Sequence, residues 1–155
     1  MIASGTPSKV AEYERAAAGY ADLEVRFGSV PETGADCDAV VITVPIAHDW
    51  HGGFPVIGRA QVLLNERNDD SPPFVVTTIP FEIGNFPDVS DWSGEYEYMR
   101  SVLEAGMREL VSVLGEASLR VLVHSDGAGF SGMSASALVE AVVHVSAIDY
   151  RVLES

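Results

Sequence analysis

The chain has 155 residues, of which 47% are hydrophobic, and its 9 Lys and Arg against 23 Asp and Glu give a formal net charge of -14. This length supports one well-packed domain, so residues 1–155 are expected to form a single unit. The negative charge repels nucleic acid and anionic membranes over most of the surface, and neither is expected as a partner. The single cysteine, Cys37, excludes an internal disulfide, which fits a cytoplasmic protein. The sequence contains neither a signal-peptide pattern nor an apolar run of roughly 18 residues that could span a membrane.

The first third of the chain predicts one helix and two strands. The helix begins at Pro7 or Ser8 and runs to Tyr20, with a shared face formed by Val10, Tyr13, Ala17 and Tyr20. Residues Leu23 to Phe27 alternate apolar and polar side chains, as a half-buried strand does, and a turn follows them. Ala39 to Pro45 is a β-branched run, which is typical of a central strand covered on both faces.

The rest of the chain alternates between strand and helix patterns. Gln61 to Glu66 is predicted to be helical, and Phe74 to Ile79 is predicted to be another buried strand. A helical period runs from Glu95 to Leu114, followed by Gly115 at the usual position of a C-terminal helix glycine. One or two last strands are expected in Val143–Ile148 and Tyr150–Leu153.

This order of elements predicts a three-layer α/β/α sandwich with a mixed, mostly parallel central sheet. Three strands are expected to lie side by side in it, namely AVVITVP, FVVTTI and RVLVH. In sheets of this kind, ligands lie beyond the carboxyl ends of the strands. The loops that follow these strands are therefore the expected location of a binding site.

The most informative stretch is Arg120 to Val143, where an apolar strand runs through glycine-rich residues into a helix. We call Ser125 to Met133 the glycine loop. Its glycines allow close approach of the backbone to a ligand, and Ser134 or Ser136 can cap the helix that follows. Loop amides and the positive end of a helix favour a phosphate or a carboxylate. The segment therefore predicts an anion site.

Two loops are expected to flank one cleft at the end of the sheet. The first contributes a glycine pair and an aromatic residue, and the second is the glycine loop. The predicted ligand-binding residues are Gly52, Gly53 and Phe54 in the first loop, and Ser125, Asp126, Gly127, Ala128, Gly129, Phe130, Ser131, Gly132 and Met133 in the second. Four aromatic residues are also candidates for stacking on a base or ribose, although aromatic residues at such an edge are at least as often packed in the core or in a lid: Phe54, Phe86, Trp92 and Phe130.

A dinucleotide site is one alternative interpretation of the glycine loop. Gly127 to Gly132 satisfies GxGxxG, follows a strand and opens a helix, with Asp149 about twenty residues further on, as in a Rossmann site for NAD or FAD. Against this alternative, only one further strand pair can follow the motif before the chain ends. In a third interpretation the glycines serve only tight turns, and the domain is a structural or protein-interaction module.

Two other groups of polar residues have the composition of reactive sites. His48, Asp49 and His51 could contact a metal, but no fourth ligand stands near them in the sequence, and we predict no metal. His124, Ser125 and Asp126 have the residue types of a catalytic triad. Neighbours at a strand end do not point at one another, and the G-x-S-x-G elbow is absent, so a serine nucleophile is not expected.

Over Leu23 to Leu153 the chain resembles the macro domain superfamily, whose members bind ADP-ribose and related nucleotides on an α/β/α sandwich. The resemblance rests on the order of the elements and on short motifs. The family's early strand and its corner resemble VRFGSV, and the strand before its first glycine-rich loop resembles DAVVITVP. That loop resembles HGGF, and the strand that commonly begins Val-His-Thr resembles FVVTTIP. The diphosphate loop resembles AGFSGM, and the final strand resembles VSAIDYRVL. This resemblance implies a ligand of the ADP-ribose type.

The chain departs from this family at three positions that bear on function. Ser29 stands where the family commonly has an adenine-contacting Asp, and Ile42 and Pro45 stand where hydrolytic members carry an Asn. Neither Ile42 nor Pro45 can orient a water molecule by hydrogen bonding. We therefore expect a protein that binds a nucleotide-like or phosphorylated small molecule without efficient catalysis, with no identified catalytic residue and no cofactor.

Overall fold

The computed structural model describes residues 1–42, 61–66, 68–77, 94–115, 119–126, 128, 130 and 132–147. These residues form six strands and four helices. In chain order they are β1 (Ile2–Ser4), α1 (Pro7–Ala17), β2 (Val25–Phe27), α2 (Val30–Gly34), β3 (Ala39–Ile42), β4 (Gln61–Leu64), β5 (Phe74–Thr77), α3 (Glu95–Leu114), β6 (Val121–His124) and α4 (Ala135–Ser146).

All six strands join one sheet in the order β2-β1-β6-β3-β5-β4. Neighbouring strands are parallel except for β4, which runs antiparallel to β5 at one edge. The predicted mixed, mostly parallel sheet is therefore confirmed, as is the side-by-side arrangement of β6, β3 and β5. The five parallel strands end at one edge of the sheet, which we call the carboxyl rim.

The β-branched runs form central strands because apolar side chains cover both of their faces. On one face Val41, Val76 and Val123 join the larger hydrophobic cluster, which also contains buried residues of α1, α3 and α4. On the opposite face Val40 and Ile42 belong to a smaller cluster that includes Cys37, Val75 and Leu122, with Val30 of α2 packed against it. Among the described residues, α1, α3 and α4 therefore cover one face of the sheet, and α2 covers part of the other.

The predicted helix over Gln61 to Glu66 is wrong. Residues Gln61–Leu64 form β4, with Val62 opposite Val76 and Leu63 opposite Val75. Six residues are too few to distinguish a helical period from a strand, and Leu and Glu favour helices locally. Pairing with β5 satisfies the backbone of this segment and decides its conformation.

The predicted strand over Val143 to Ile148 is also wrong, because α4 continues to Ser146. The β-branched residues of the segment from Val143 to Ile148 favour a strand when only their local preference is considered. The helical spacing of Leu138, Ala141, Val142 and Val145 instead buries one face of α4 in the main cluster. Residues 150–153, the other predicted last strand, lie outside the described residues.

Two elements near the N-terminus were not predicted. The central position beside β6 is taken by β1, and all three of its residues are buried. A short helix, α2, occupies the expected turn, where Ser29 and Glu32 form a capping box. The first helix is present with Val10, Tyr13 and Ala17 buried as predicted, but it ends at Ala17, and Tyr20 is exposed.

An ion-pair network ties β2 to Asp36, two residues after α2, and to Arg120 just before β6. Arg26 Nη1 lies 2.7 Å from Asp36 Oδ1, and its Nη2 lies 2.8 Å from Glu24 Oε2. Arg120 Nη2 contacts the same two carboxylates, at 3.4 Å from Glu24 and 3.0 Å from Asp36. Hydrogen bonding to Arg26 lowers the pKa of Asp36 to about 2 and also lowers the pKa of Glu24.

Replacing Arg26 with methionine is expected to weaken the acid dependence of stability. Because both carboxyl pKa values are lower in the folded state, their stabilising contribution is complete above the unfolded values of 4.5 and 3.8, and it is lost as the pH falls toward about 2. Urea unfolding at pH 7 and pH 3 measures the difference. Arg108→Met, which removes one ion pair with Glu104 within α3, should retain the wild-type acid dependence. An Arg26→Met variant with the wild-type pH dependence would contradict this account.

Candidate functional site

The glycine loop begins at the carboxyl end of β6. At this position in the sheet, the connections between successive strands change direction. Its strand, β6, lies between β1 and β3. The chain leaves β1 toward β2 on one side of the sheet, whereas after β3 it continues to β4 and β5 on the other side. Open α/β sheets bind ligands at such a point, outside the carboxyl ends of the strands.

A side-chain carboxylate joins the start of the glycine loop to the turn between β1 and α1. Asp126 Oδ2 accepts hydrogen bonds from the Gly5 amide at 2.8 Å and from the Ser4 hydroxyl at 3.1 Å. The Thr6 amide in turn donates to Ser4 Oγ at 3.1 Å. Asp126 therefore holds the turn before α1 beside the start of the glycine loop.

Backbone hydrogen bonds hold two described residues of the glycine loop. The Ala128 amide donates to the His124 carbonyl at 2.8 Å, and the Phe130 amide donates to the Ser125 carbonyl at 2.9 Å. The side chains of Ala128 and Phe130 are buried, and the Phe130 ring meets the edge or face of Tyr98 at a centroid distance of 6.4 Å. These two predicted ligand residues thus belong to the hydrophobic core in this structure.

The end of the loop leads into α4 through the predicted serine cap. Ser134 Oγ accepts a hydrogen bond from the Ala137 amide at 3.4 Å, and the Ser134 amide donates to Glu95 Oε2 at 2.6 Å. Amides in the first turn of a helix have no acceptor within the helix and carry its positive dipole end. Gly132 is exposed, with open space where a Cβ would lie.

A groove runs between α1 and the start of α4. It is lined by Lys9, Glu12, Arg15 and Ala16 on one side and by Met133, Ser134, Ala135 and Ser136 on the other. Lys9 Nζ lies 3.4 Å from the Met133 carbonyl and 3.1 Å from Glu12 Oε2. Sequence reasoning assigned α1 to packing and missed this side of the groove. The sequence contained an indication of this surface, because the spacing of the four α1 residues that line the groove places them on one face of the helix.

Two buried hydroxyl groups lie under the same loop. Tyr13 and Ser125 are both 0% exposed, and neither hydroxyl has a hydrogen-bond partner among the described residues. The Ser125 hydroxyl lies next to the Tyr13 phenol. Burial raises the pKa of Tyr13, and the nearby Ser125 hydroxyl and Lys9 ammonium act in the opposite direction. Tyr13 was predicted only as a packing residue.

The three residues with triad chemistry have separate surroundings. His124 Nε2 lies 2.9 Å from the Gly28 carbonyl oxygen, Ser125 faces Tyr13, and Asp126 binds the turn before α1. Among the described residues, no group of three or more His, Cys, Asp or Glu side chains is placed to hold a metal ion. The segment from His48 to Phe54, including Gly52 and Gly53, lies outside the described residues, as do Gly127, Gly129 and Ser131.

Two positions used in the family resemblance have structural partners. Ser29 caps α2, accepting from the Glu32 amide at 3.4 Å and donating to Glu32 Oε1 at 2.7 Å. Ile42 is 0% exposed within the smaller hydrophobic cluster. Pro45 lies outside the described residues.

The fold and the rim define this chain as an α/β/α sandwich protein with a mixed sheet and a glycine loop after a central strand. No protein-family model, curated protein or solved structure matches it. None of the helices in the described ranges has both the length and the apolar character needed to cross a lipid bilayer.

Proposed function

We propose that this protein binds a phosphorylated small molecule, ADP-ribose or a related nucleotide, at the carboxyl rim of its sheet. In this proposal a phosphoryl group lies at the first turn of α4, in the groove that α1 borders. The observation that carries the proposal is the placement of Lys9 and Arg15 along the groove beside that helix terminus.

The electrostatics of the groove support an anionic ligand. The positive end of a helix is equivalent to roughly half an elementary charge and stabilises a bound phosphate. Lys9 and Arg15 add positive charge there, of which Glu12 offsets part through its ion pair with Lys9. The overall charge of -14 opposes binding weakly, because distant carboxylates are screened beyond about 8–10 Å.

The position of the loop supports a nucleotide rather than free phosphate alone. The glycine loop follows a strand with neighbours on both sides, so a ligand there can extend over the ends of β1 and β3. The resemblance to macro domains adds ADP-ribose as the first ligand to test. NAD and FAD belong in the same test because of the alternative GxGxxG interpretation.

The side chains near the start of the glycine loop and at the end of β3 favour a protein that binds its ligand without converting it. Asp126 is the carboxylate nearest the start of the glycine loop, and both of its hydrogen bonds serve the turn before α1. Ile42 is a buried apolar residue at the end of β3. Ile42 has no polar group that could position a water molecule for attack on a ribosyl bond, and Asp126 Oδ2 already accepts two hydrogen bonds.

Calorimetric titration with ADP-ribose, NAD, FAD, AMP and inorganic phosphate tests this function. We expect at least one phosphorylated ligand to bind and to be recovered chemically unchanged. Lys9→Gln should weaken binding about tenfold, which is roughly 1.4 kcal/mol, because it removes a cation from the groove. Arg108→Gln, a matched loss of charge on α3, should bind as the wild type does. The absence of binding at millimolar ligand would overturn the proposal, as would equal losses in both variants.

A further inference from the structure

The amino terminus of α4 already binds a carboxylate of this chain. The Ser134 amide donates a hydrogen bond to Glu95 Oε2 at 2.6 Å, and Ser134 also lines the groove. Glu95 is the first residue of α3, so this contact joins the amino termini of the two helices. The amide and the helix dipole that favour a phosphate also stabilise a carboxylate. Glu95 therefore places a fixed negative charge beside the proposed position of the ligand.

Two amides of the first turn lie next to this contact. The Ser134 hydroxyl accepts a hydrogen bond from the Ala137 amide at 3.4 Å. The amides of Ala135 and Ser136 stand between Ser134 and Ala137 in the chain, where a helix supplies no acceptor of its own. Both residues line the groove. A ligand oxygen bound to either amide lies within one helical turn of the Glu95 carboxylate, a separation over which salt screens a charge only in part.

The formal charges at this groove balance among the described residues. Lys9 and Arg15 contribute two positive charges, and Glu12 and Glu95 contribute two negative charges. Glu12 Oε2 lies 3.1 Å from Lys9 Nζ, so these two charges compensate each other closely. Arg15 and the dipole of α4, which is equivalent to roughly half an elementary charge, then act against Glu95. A second negative charge on a bound phosphoryl group is opposed by Glu95 and costs more to remove from water.

We propose that Glu95 is a specificity-determining residue that favours a phosphodiester or a diphosphate linkage over a terminal phosphate. This inference rests on the proposed function and specifies the ligand class of the same groove. A terminal phosphate carries close to two negative charges near neutral pH, whereas the phosphoryl group of a diester carries one. Coulomb energy is proportional to the product of the charges, so Glu95 repels a terminal phosphate about twice as strongly.

AMP and its methyl ester test this charge discrimination, because the ester is a phosphodiester with the same base and sugar. Calorimetry at about pH 8 compares them while the phosphate of AMP carries both of its charges. Glu95→Gln keeps an oxygen that accepts a hydrogen bond from the Ser134 amide but removes the negative charge. We expect this variant to bind the methyl ester about threefold and AMP about tenfold more tightly than the wild type does, since doubling the repulsion squares the factor.

Glu109→Gln is the matched control, because it removes the same charge from the same helix. Glu109 lies 14 residues beyond Glu95 in α3, which is roughly 21 Å along the helix axis. At that distance a surface carboxylate is largely screened at ordinary salt. We expect the affinities for AMP and for its methyl ester to be those of the wild type. An equal shift in both variants would overturn the inference, because the net charge would then be responsible.

The ratio of the two affinities separates this role from a structural one. A loosened contact between α3 and α4 would change the binding of both ligands by the same factor, and that result would overturn the inference while leaving the proposed function intact. Failure of Glu95→Gln to bind AMP, in a protein whose wild type binds ADP-ribose, would also overturn it. AMP binding by Glu95→Gln alone would support it. If neither protein binds any of these ligands, the proposed function fails and this inference fails with it.

Discussion

Replacing Phe130 with alanine is expected to lower the free energy of unfolding by about 3–5 kcal/mol, a large share of the stability of a domain of this size. The ring is 1% exposed and packs against Tyr98 within the main hydrophobic cluster. Its removal leaves a cavity between the glycine loop and α3, because close-packed neighbours relax only in part. The loop depends on this anchor for its position over β6.

Thermal and urea unfolding of the Phe130→Ala variant measure this loss. In a domain of about 155 residues each kcal/mol shifts the melting temperature by roughly 2–4 °C, so a decrease of roughly 6–20 °C is expected. Phe27→Ala is the matched control, because Phe27 is 59% exposed and its loss should change stability much less. A small loss of stability at Phe130 combined with a large loss of ligand affinity would show instead that the ring stacks on the ligand.

Replacing Gly28 with alanine is expected to lower the free energy of unfolding by about 2–4 kcal/mol, through backbone strain and crowding. Gly28 ends β2 with a φ of 141°, which residues with a Cβ rarely adopt. An added Cβ would lie 3.2 Å from both Glu32 Cβ and Thr33 Cγ2 in α2. The carbonyl of Gly28 also contacts His124 at 2.9 Å, so a shift of this corner disturbs the end of β6.

Gly19→Ala is the control for this substitution. Gly19 has no positive φ, and no atom lies within 4 Å of the position of its Cβ. Alanine there should be neutral or stabilising by about 0.4–1 kcal/mol, because it reduces the freedom of the unfolded chain. Equal stabilities of the two variants in urea unfolding would contradict the strain assigned to Gly28.

The long or strongly patterned segments could be predicted from the sequence. The helix from Glu95 to Leu114 has the bounds that its period indicates, and Gly115 ends it with a φ of 66°. The β-branched runs of β3, β5 and β6 lie side by side in the sheet, and Ser134 caps α4. In these segments the local preference and the burial of an apolar face favour the same conformation.

The short segments could not be predicted, because their conformation depends on partners far away in the chain. Ile2–Ser4 is too short to show a strand pattern and becomes a strand by pairing with β2 and β6. Gln61–Leu64 has helix-favouring residues and becomes a strand by pairing with β5. Val143 favours a strand locally, but the apolar face of α4 extends the helix through it.

For the site, the sequence by itself determined that a glycine-rich loop follows a buried strand and opens a capped helix, since strand, turn and cap are local properties. Only the tertiary structure decided that Lys9 and Tyr13 of α1 lie against that loop, more than 100 residues away in the chain. It also decided that Phe130 is buried against Tyr98. These contacts depend on the order of strands in the sheet, where β1 inserts beside β6 and brings α1 to the loop.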